Sequence, residues 1–136
     1  MLYTEVISGF WIGDIDMMYN NKFIQDNDIN IVINCTTNYE FKDKHKTNIR
    51  IPLVEDLYSN IQTLKDNKDK ILSFINLKLT QDTILLCCYD GQKLSPFIAS
   101  LYLMKYGEIT KENIKQIIRS KNKLLSLDFD LELLDM

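Results

Sequence analysis

Apolar and polar positions along the chain follow two different periods, and the switches between them mark the elements. Val6 to Ile12 reads as one or two short strands around Ser8-Gly9. Ile29 to Cys35, with the β-branched run Ile31-Val32-Ile33, predicts a strand ending at Asn34-Cys35-Thr36-Thr37. Ile49 to Leu53 predicts another short strand, and the unbroken apolar run Thr83 to Leu86 a buried one. Helical spacing fills the intervals. Met17, Met18, Phe23 and Ile24 predict a helix capped by Asp14 or Asp16. Ile61, Leu64, Ile71, Leu72 and Ile75 share one face of a second helix, with Lys and Asp opposite and Ser59 or Asn60 as its cap. Ile98, Leu101, Tyr102 and Lys105 form a third helix, with Ser95 as N-cap and Pro96 as first helical residue. Thr110 caps a fourth, with Ile114, Ile117 and Ile118 inward. The apolar and acidic run Leu124 to Met136 predicts a last short helix, while Lys42–Thr47 and Glu55–Asn60 read as loops.

Strands alternating with helices imply an α/β sandwich: a central, mainly parallel sheet flanked by helices. The ligand crevice of such a sheet lies at the carboxyl ends of its strands. A chain of 136 residues without a repeat, linker or low-complexity tract is expected to form a single domain over 1–136, large enough for one core.

Composition narrows the function. A net charge of -3 argues against a general nucleic-acid or membrane-surface binder. No apolar run approaches the ~18 residues that span a bilayer, and Met1-Leu2-Tyr3-Thr4-Glu5 has no basic region leading into an apolar core, so neither membrane insertion nor secretion is expected. Three cysteines, two of them adjacent, make a poor disulfide framework, so a reducing cytoplasmic or nuclear setting is expected. Neither a cofactor motif nor a metal-ligand cluster is visible.

The candidate chemistry lies where the Thr83–Leu86 strand gives way to a helix: Cys87-Cys88-Tyr89-Asp90-Gly91-Gln92-Lys93-Leu94-Ser95-Pro96. A strand end, a tight glycine loop and a helix N-terminus make an anion cradle, because successive backbone N–H groups converge and the helix dipole adds positive charge. A cysteine at the mouth of that cradle is expected to have a lowered pKa and to act as a thiolate nucleophile.

This stretch resembles the signature loop of the small dual-specificity, cysteine-dependent protein phosphatases, whose pattern is His-Cys, five residues, Arg, then Ser or Thr. The resemblance covers about Tyr3 to Leu134 and places the phosphate-binding loop at Cys88, Tyr89, Asp90, Gly91, Gln92, Lys93, Leu94 and Ser95. It implies that Cys88 attacks phosphorus and forms a phosphocysteine. It also implies that Asp56, in Ile51-Pro52-Leu53-Val54-Glu55-Asp56, is the general acid, with Glu55 as fallback and Ser95 as the trailing hydroxyl. Trp11-Ile12-Gly13-Asp14 resembles the family's early strand-and-glycine segment. Cys35 occupies a strand end where some members keep a second cysteine that bonds reversibly to the nucleophile; a small buried hydrophobe is the alternative reading.

Two departures set the functional question. The arginine position (88 + 6 = 94) holds Leu94, which offers no donor and no charge where a guanidinium would grip two phosphoryl oxygens. The histidine position holds Cys87, a weak donor. The only histidine, His45, reads as a solvated residue of a lysine-rich loop; that loop, Lys42–Lys46, and Tyr89 are candidates for lining the pocket. Asp90 adds negative charge to the loop, and Lys93 next to position 94 supplies a point charge if its side chain turns inward. Three readings follow: a pseudophosphatase that binds a protein or phosphoprotein, an atypical active phosphatase relying on Lys93 and the backbone, or a redox or scaffolding protein whose loop no longer meets phosphate. The family chemistry needs no metal, and the oligomeric state is open.

Overall fold

The computed structural model describes residues 1–41 and 47–135; the Lys42–Lys46 loop with His45, and Met136, lie outside the described residues. Strands β1 (Tyr3–Ile7) and β2 (Phe10–Asp14) form a hairpin. It turns at Gly9, whose φ of 84° favours glycine. Two short helices follow, α1 (Ile15–Met18) and α2 (Asn21–Asp26), in place of the single helix expected there. The cap is Asn20, whose side chain accepts from the Phe23 N–H at 3.0 Å. Asp14 stands at the start of α1 but turns its carboxylate to the Leu2 N–H at 2.7 Å.

Strand β3 (Ile31–Asn34) is buried throughout. Strand β4 is Thr47–Arg50, so the expected Ile49–Leu53 strand is displaced toward the N-terminus. Pro52 lacks a ladder donor, and Leu53 turns into the core. A 3-10 turn at Leu57–Asn60 leads into α3 (Ile61–Lys78). Strand β5 (Ile84–Cys88) is longer than its apolar run and carries both adjacent cysteines. Helices α4 (Leu94–Tyr106) and α5 (Lys111–Lys121) complete the layers.

The sheet order is β1-β2-β5-β3-β4, with β2, β5, β3 and β4 mutually parallel and β1 antiparallel at one edge. Strand period two divides the core between the faces. Ile84, Leu86 and Cys88 join Ile12, Ile31 and Ile33 in the larger core, which includes α3, α4 and α5 residues such as Ile75, Phe97 and Ile118. Leu85 and Cys87 join Val32 and the α1/α2 side chains Met17, Met18 and Phe23 on the other face.

The last segment is not the helix its composition suggested. Leu125, Leu127, Phe129, Leu131 and Leu133 are buried, while Ser126, Asp128, Asp130 and Glu132 between them are exposed. The run lies as an irregular strap with a left-handed residue at Leu127 (φ 52°), ending in a single 3-10 turn at Leu133–Asp135. Alternate side chains of the strap turn into the core, with Phe129 edge-on to Phe97 at 5.4 Å. Among the described residues no helix is long and apolar enough to cross a membrane.

Candidate active site

The expected loop leaves the carboxyl end of β5 and closes on the Cys88 sulfur. The Ser95 N–H donates to Sγ at 3.3 Å, the Ser95 hydroxyl lies 3.2 Å from it, and the Gly91 amide also bonds to it. Ser95 is therefore not the helix cap. Lys93 takes that position, its carbonyl accepting from the Phe97 N–H at 2.9 Å, because Ser95 must lie inside the first turn for its amide to reach sulfur. Pro96 becomes the third helical residue, where a missing N–H is still harmless. Gly91 has φ of 73°, and an added Cβ would lie 2.9 Å from the Asp14 nitrogen. Only glycine lets the loop press on the end of β2.

The electrostatics depart from the expected thiolate. Burial raises the Cys88 pKa, and this outweighs the lowering by the Ser95 hydroxyl, the Ser95 amide and the Gly91 amide; Asp90 raises it further. At 1% exposure the sulfur has lost the water that would solvate its charge. Burial thus works against the thiolate that the loop donors favour. Cys87 and Cys35 are pushed up as well, first by burial and then by the neighbouring Cys88.

Strand alternation settles the two remaining cysteines. Cys87, at the histidine position, faces α1 and α2, and its thiol donates to the Ile33 carbonyl at 3.5 Å. It cannot order the loop on the opposite face. Cys35 shares the Cys88 face. Asn34 is in register with Cys87, and the Cys35 N–H donates to the Cys87 carbonyl at 2.8 Å, which sets Cys35 beside the end of β5. All three cysteines are free.

Leu94 is 2% exposed and packed in the larger core, so the clamp position has become a packing position. No other guanidinium replaces it. The chain has two arginines, Arg50 and Arg119. Arg50 donates to the Thr36 and Tyr39 carbonyls at 2.8 and 2.7 Å and lies 3.8 Å from the Glu40 carboxylate. Arg119 donates to the Leu125 and Ser126 carbonyls of the strap. Lys93 has an exposed side chain, and Asp90 accepts from the Gln92 N–H at 2.9 Å in a local turn.

Asp56 lies in the loop before α3, exposed, with one carboxylate oxygen taking the Ser59 hydroxyl at 2.7 Å. Its loop is closed by Asn60, whose amide bonds the Val54 N–H, the Val54 carbonyl and the Asp56 carbonyl. Sequence reasoning missed what ties this loop to the site. The Tyr89 hydroxyl donates to the Leu53 carbonyl at 2.7 Å and accepts from the Thr37 N–H at 3.1 Å. One phenol thus joins the signature loop to the Asp56 loop and to the end of β3. Gln92 is a second tie: its amide donates to the Leu124 carbonyl at 3.0 Å and accepts from the Ser126 N–H at 2.9 Å, pinning the strap. No local pattern announces either contact, since the partners lie more than 30 residues away. Among the described residues no cluster of acidic, histidine or cysteine side chains suits a metal ion.

The sulfur thus sits at the carboxyl edge of the sheet, met by the Ser95 and Gly91 amides and the Ser95 hydroxyl of a strand–loop–helix turn. Residues 11–133 match the model of the dual specificity phosphatase catalytic domain. The chain belongs to the dual-specificity phosphatase family. Similar solved structures include DUSP15, at 17% identity and a TM-score of 0.83, covering 98% of this chain and 85% of that one. A phosphatase of Cydia pomonella, PTP-2, matches at 19% identity and 0.79, covering 97% and 87%. The human tyrosine phosphatase-like serine/threonine/tyrosine-interacting protein matches at 12% and 0.72, covering 98% and 93%. No curated protein matches in sequence. At these identities the structural likeness speaks to the fold; the family rests on the domain match.

Proposed function

We propose that this dual-specificity phosphatase domain is a pseudophosphatase, which binds a protein or phosphoprotein partner and hydrolyses phosphate esters weakly or not at all. The observation that carries the reading is the absence of an available guanidinium: position 94 is a buried leucine, and Arg50 and Arg119 are both committed to backbone carbonyls. Losing one preorganised oxyanion donor costs about 10²- to 10³-fold in kcat, and a guanidinium fork supplies two. The burial of Cys88, which raises its pKa, supports the same reading, since the thiol is a far poorer nucleophile than the thiolate. The human relative described above is itself called phosphatase-like and interacting. Three free cysteines support a reducing compartment, the cytoplasm or nucleus, as its place of work.

The second reading, an atypical active phosphatase working through a phosphocysteine with Asp56 as acid, draws on the donors that still converge on the sulfur. Turnover of an aryl phosphate by wild type, Cys88→Ser and Leu94→Arg separates the two. The pseudophosphatase reading expects wild type to match Cys88→Ser and Leu94→Arg to exceed both. Brisk wild-type hydrolysis that disappears in Cys88→Ser supports the active enzyme instead.

A further inference from the structure

The two edges of the sheet are finished differently. At the β1 edge, the Asn122 side chain at the end of α5 donates to the Tyr3 carbonyl at 3.2 Å and to the Thr4 hydroxyl at 2.9 Å, which covers that strand. At the β4 edge, the Thr47 and Ile51 N–H groups turn inward to the carbonyls of Asn30 and Asn34 at 3.2 and 2.9 Å. Backbone direction alternates along a strand, so the peptide groups of Asn48 and Arg50 face outward. Thr47 and Asn48 are exposed. Helix α3 overhangs this edge. Between them lies a groove of about 170 Å³ lined by Ile33, Ile49, Ile51, Ile71 and Phe74, with Lys70 as its one polar lining residue. A cavity of about 150 Å³ holds a benzene-sized group, so the groove has room for one aliphatic side chain. Two ammoniums stand by it: Lys70 at the wall and Lys78, whose ammonium lies 5.8 Å from the centre of the Phe74 ring.

We propose that the β4 edge is a docking site for an extended segment of a partner protein. The segment adds as a sixth strand, sets one branched aliphatic side chain in the Ile49/Ile51/Ile71/Phe74 groove, and carries carboxylates beside it that meet Lys70 and Lys78. Main-chain bonding to the outward groups of Asn48 and Arg50 supplies affinity, and the groove and the lysines supply selectivity. The surface is separate from the signature loop, so it stands whether or not Cys88 turns over phosphate.

The test titrates isotope-labelled protein with the terminally blocked peptide Asp-Thr-Ile-Thr-Asp-Thr, following backbone amides by NMR. The expected result is saturable shifts and slowed hydrogen exchange at Asn48 and Arg50, with little change around Cys88. A peptide N-methylated at alternate residues should bind at least about fivefold more weakly for each lost hydrogen bond. Replacing its aspartates by lysine should weaken it as well. Unmoved Asn48 and Arg50 amides at millimolar peptide overturn the proposal, as does equal binding of the N-methylated peptide. Concentration-dependent broadening of the same amides without peptide, together with a dimer in sedimentation, assigns the edge to a second copy of the chain and overturns the proposed occupant.

Discussion

Leu94→Arg tests the functional reading at its centre, and the structure sets both the gain and the cost. The gain comes from placing a planar two-donor cation beside the ring of amides around Cys88. One such donor is worth about 10²- to 10³-fold in kcat, or about 2.7–4 kcal/mol of transition-state stabilisation. A positive charge near the sulfur also moves the thiol toward thiolate, opposing the burial that raises its pKa. The cost is in packing: Leu94 is 2% exposed, and withdrawing a buried leucine forfeits about 1.5–3 kcal/mol. For a domain of this size that corresponds to a Tm lower by roughly 6–12 °C. The assay is release of p-nitrophenol from its phosphate by wild type, Leu94→Arg and Cys88→Ser/Leu94→Arg, with thermal unfolding followed by circular dichroism. The expected outcome is a folded, less stable variant whose turnover rises at least about a hundredfold and depends on Cys88. A variant that unfolds cooperatively within that temperature window but gains less than about tenfold refutes the claim that the missing guanidinium limits catalysis.

Cys88 should react slowly with iodoacetamide at pH 7 and speed up only above the ordinary thiol value of about 8.5; rapid alkylation at neutral pH contradicts a buried sulfur of raised pKa. Because burial raises all three thiols, their contribution to stability is complete below the unfolded thiol pKa of about 8.5 and is lost as pH rises toward the folded values. Urea midpoints should therefore fall above that pH, and a flat profile to pH 10 counts against the burial argument. Tyr89→Phe removes the hydroxyl that serves Leu53 and Thr37 and should cost about 1–3 kcal/mol. Faster amide exchange at Thr37 and through Val54–Asp56 is the expected signature, and unchanged exchange there shows that the phenol does not couple the loops. Under peroxide at about pH 10, where thiolates form, Cys35 and Cys88 should be the pair that bonds, two thiols giving up two protons and two electrons as peroxide becomes water. Peptide mapping that finds Cys87 in the bond instead contradicts the placement of Cys87 on the opposite face.

Local pattern in the chain determined the order of the elements, the parallel α/β architecture and the position of the signature loop. Those features rest on short-range physics: the unbroken β-branched run Ile31-Val32-Ile33, period 3.6 from Ile61 to Ile75, and a glycine at the one loop position that demands positive φ. The absence of arginine and histidine from the loop was equally legible, because it is a matter of residue type. The tertiary structure decided the rest. Whether Cys88 is a thiolate depends on desolvation by elements distant in sequence, which outweighs the amides that its own loop supplies. Whether another guanidinium replaces the missing clamp depends on where Arg50 and Arg119 find carbonyls. The role of Tyr89 depends on Leu53 and Thr37, which only the folded sheet brings to its hydroxyl. The strap at Leu125–Leu133 misled helical reading because its apolar period answers to a surface assembled from α4 and α5, not to its own backbone preference. Residue type states which donors exist, but only packing determines which of them remain free, because burial and hydrogen bonding are settled between segments far apart in the chain.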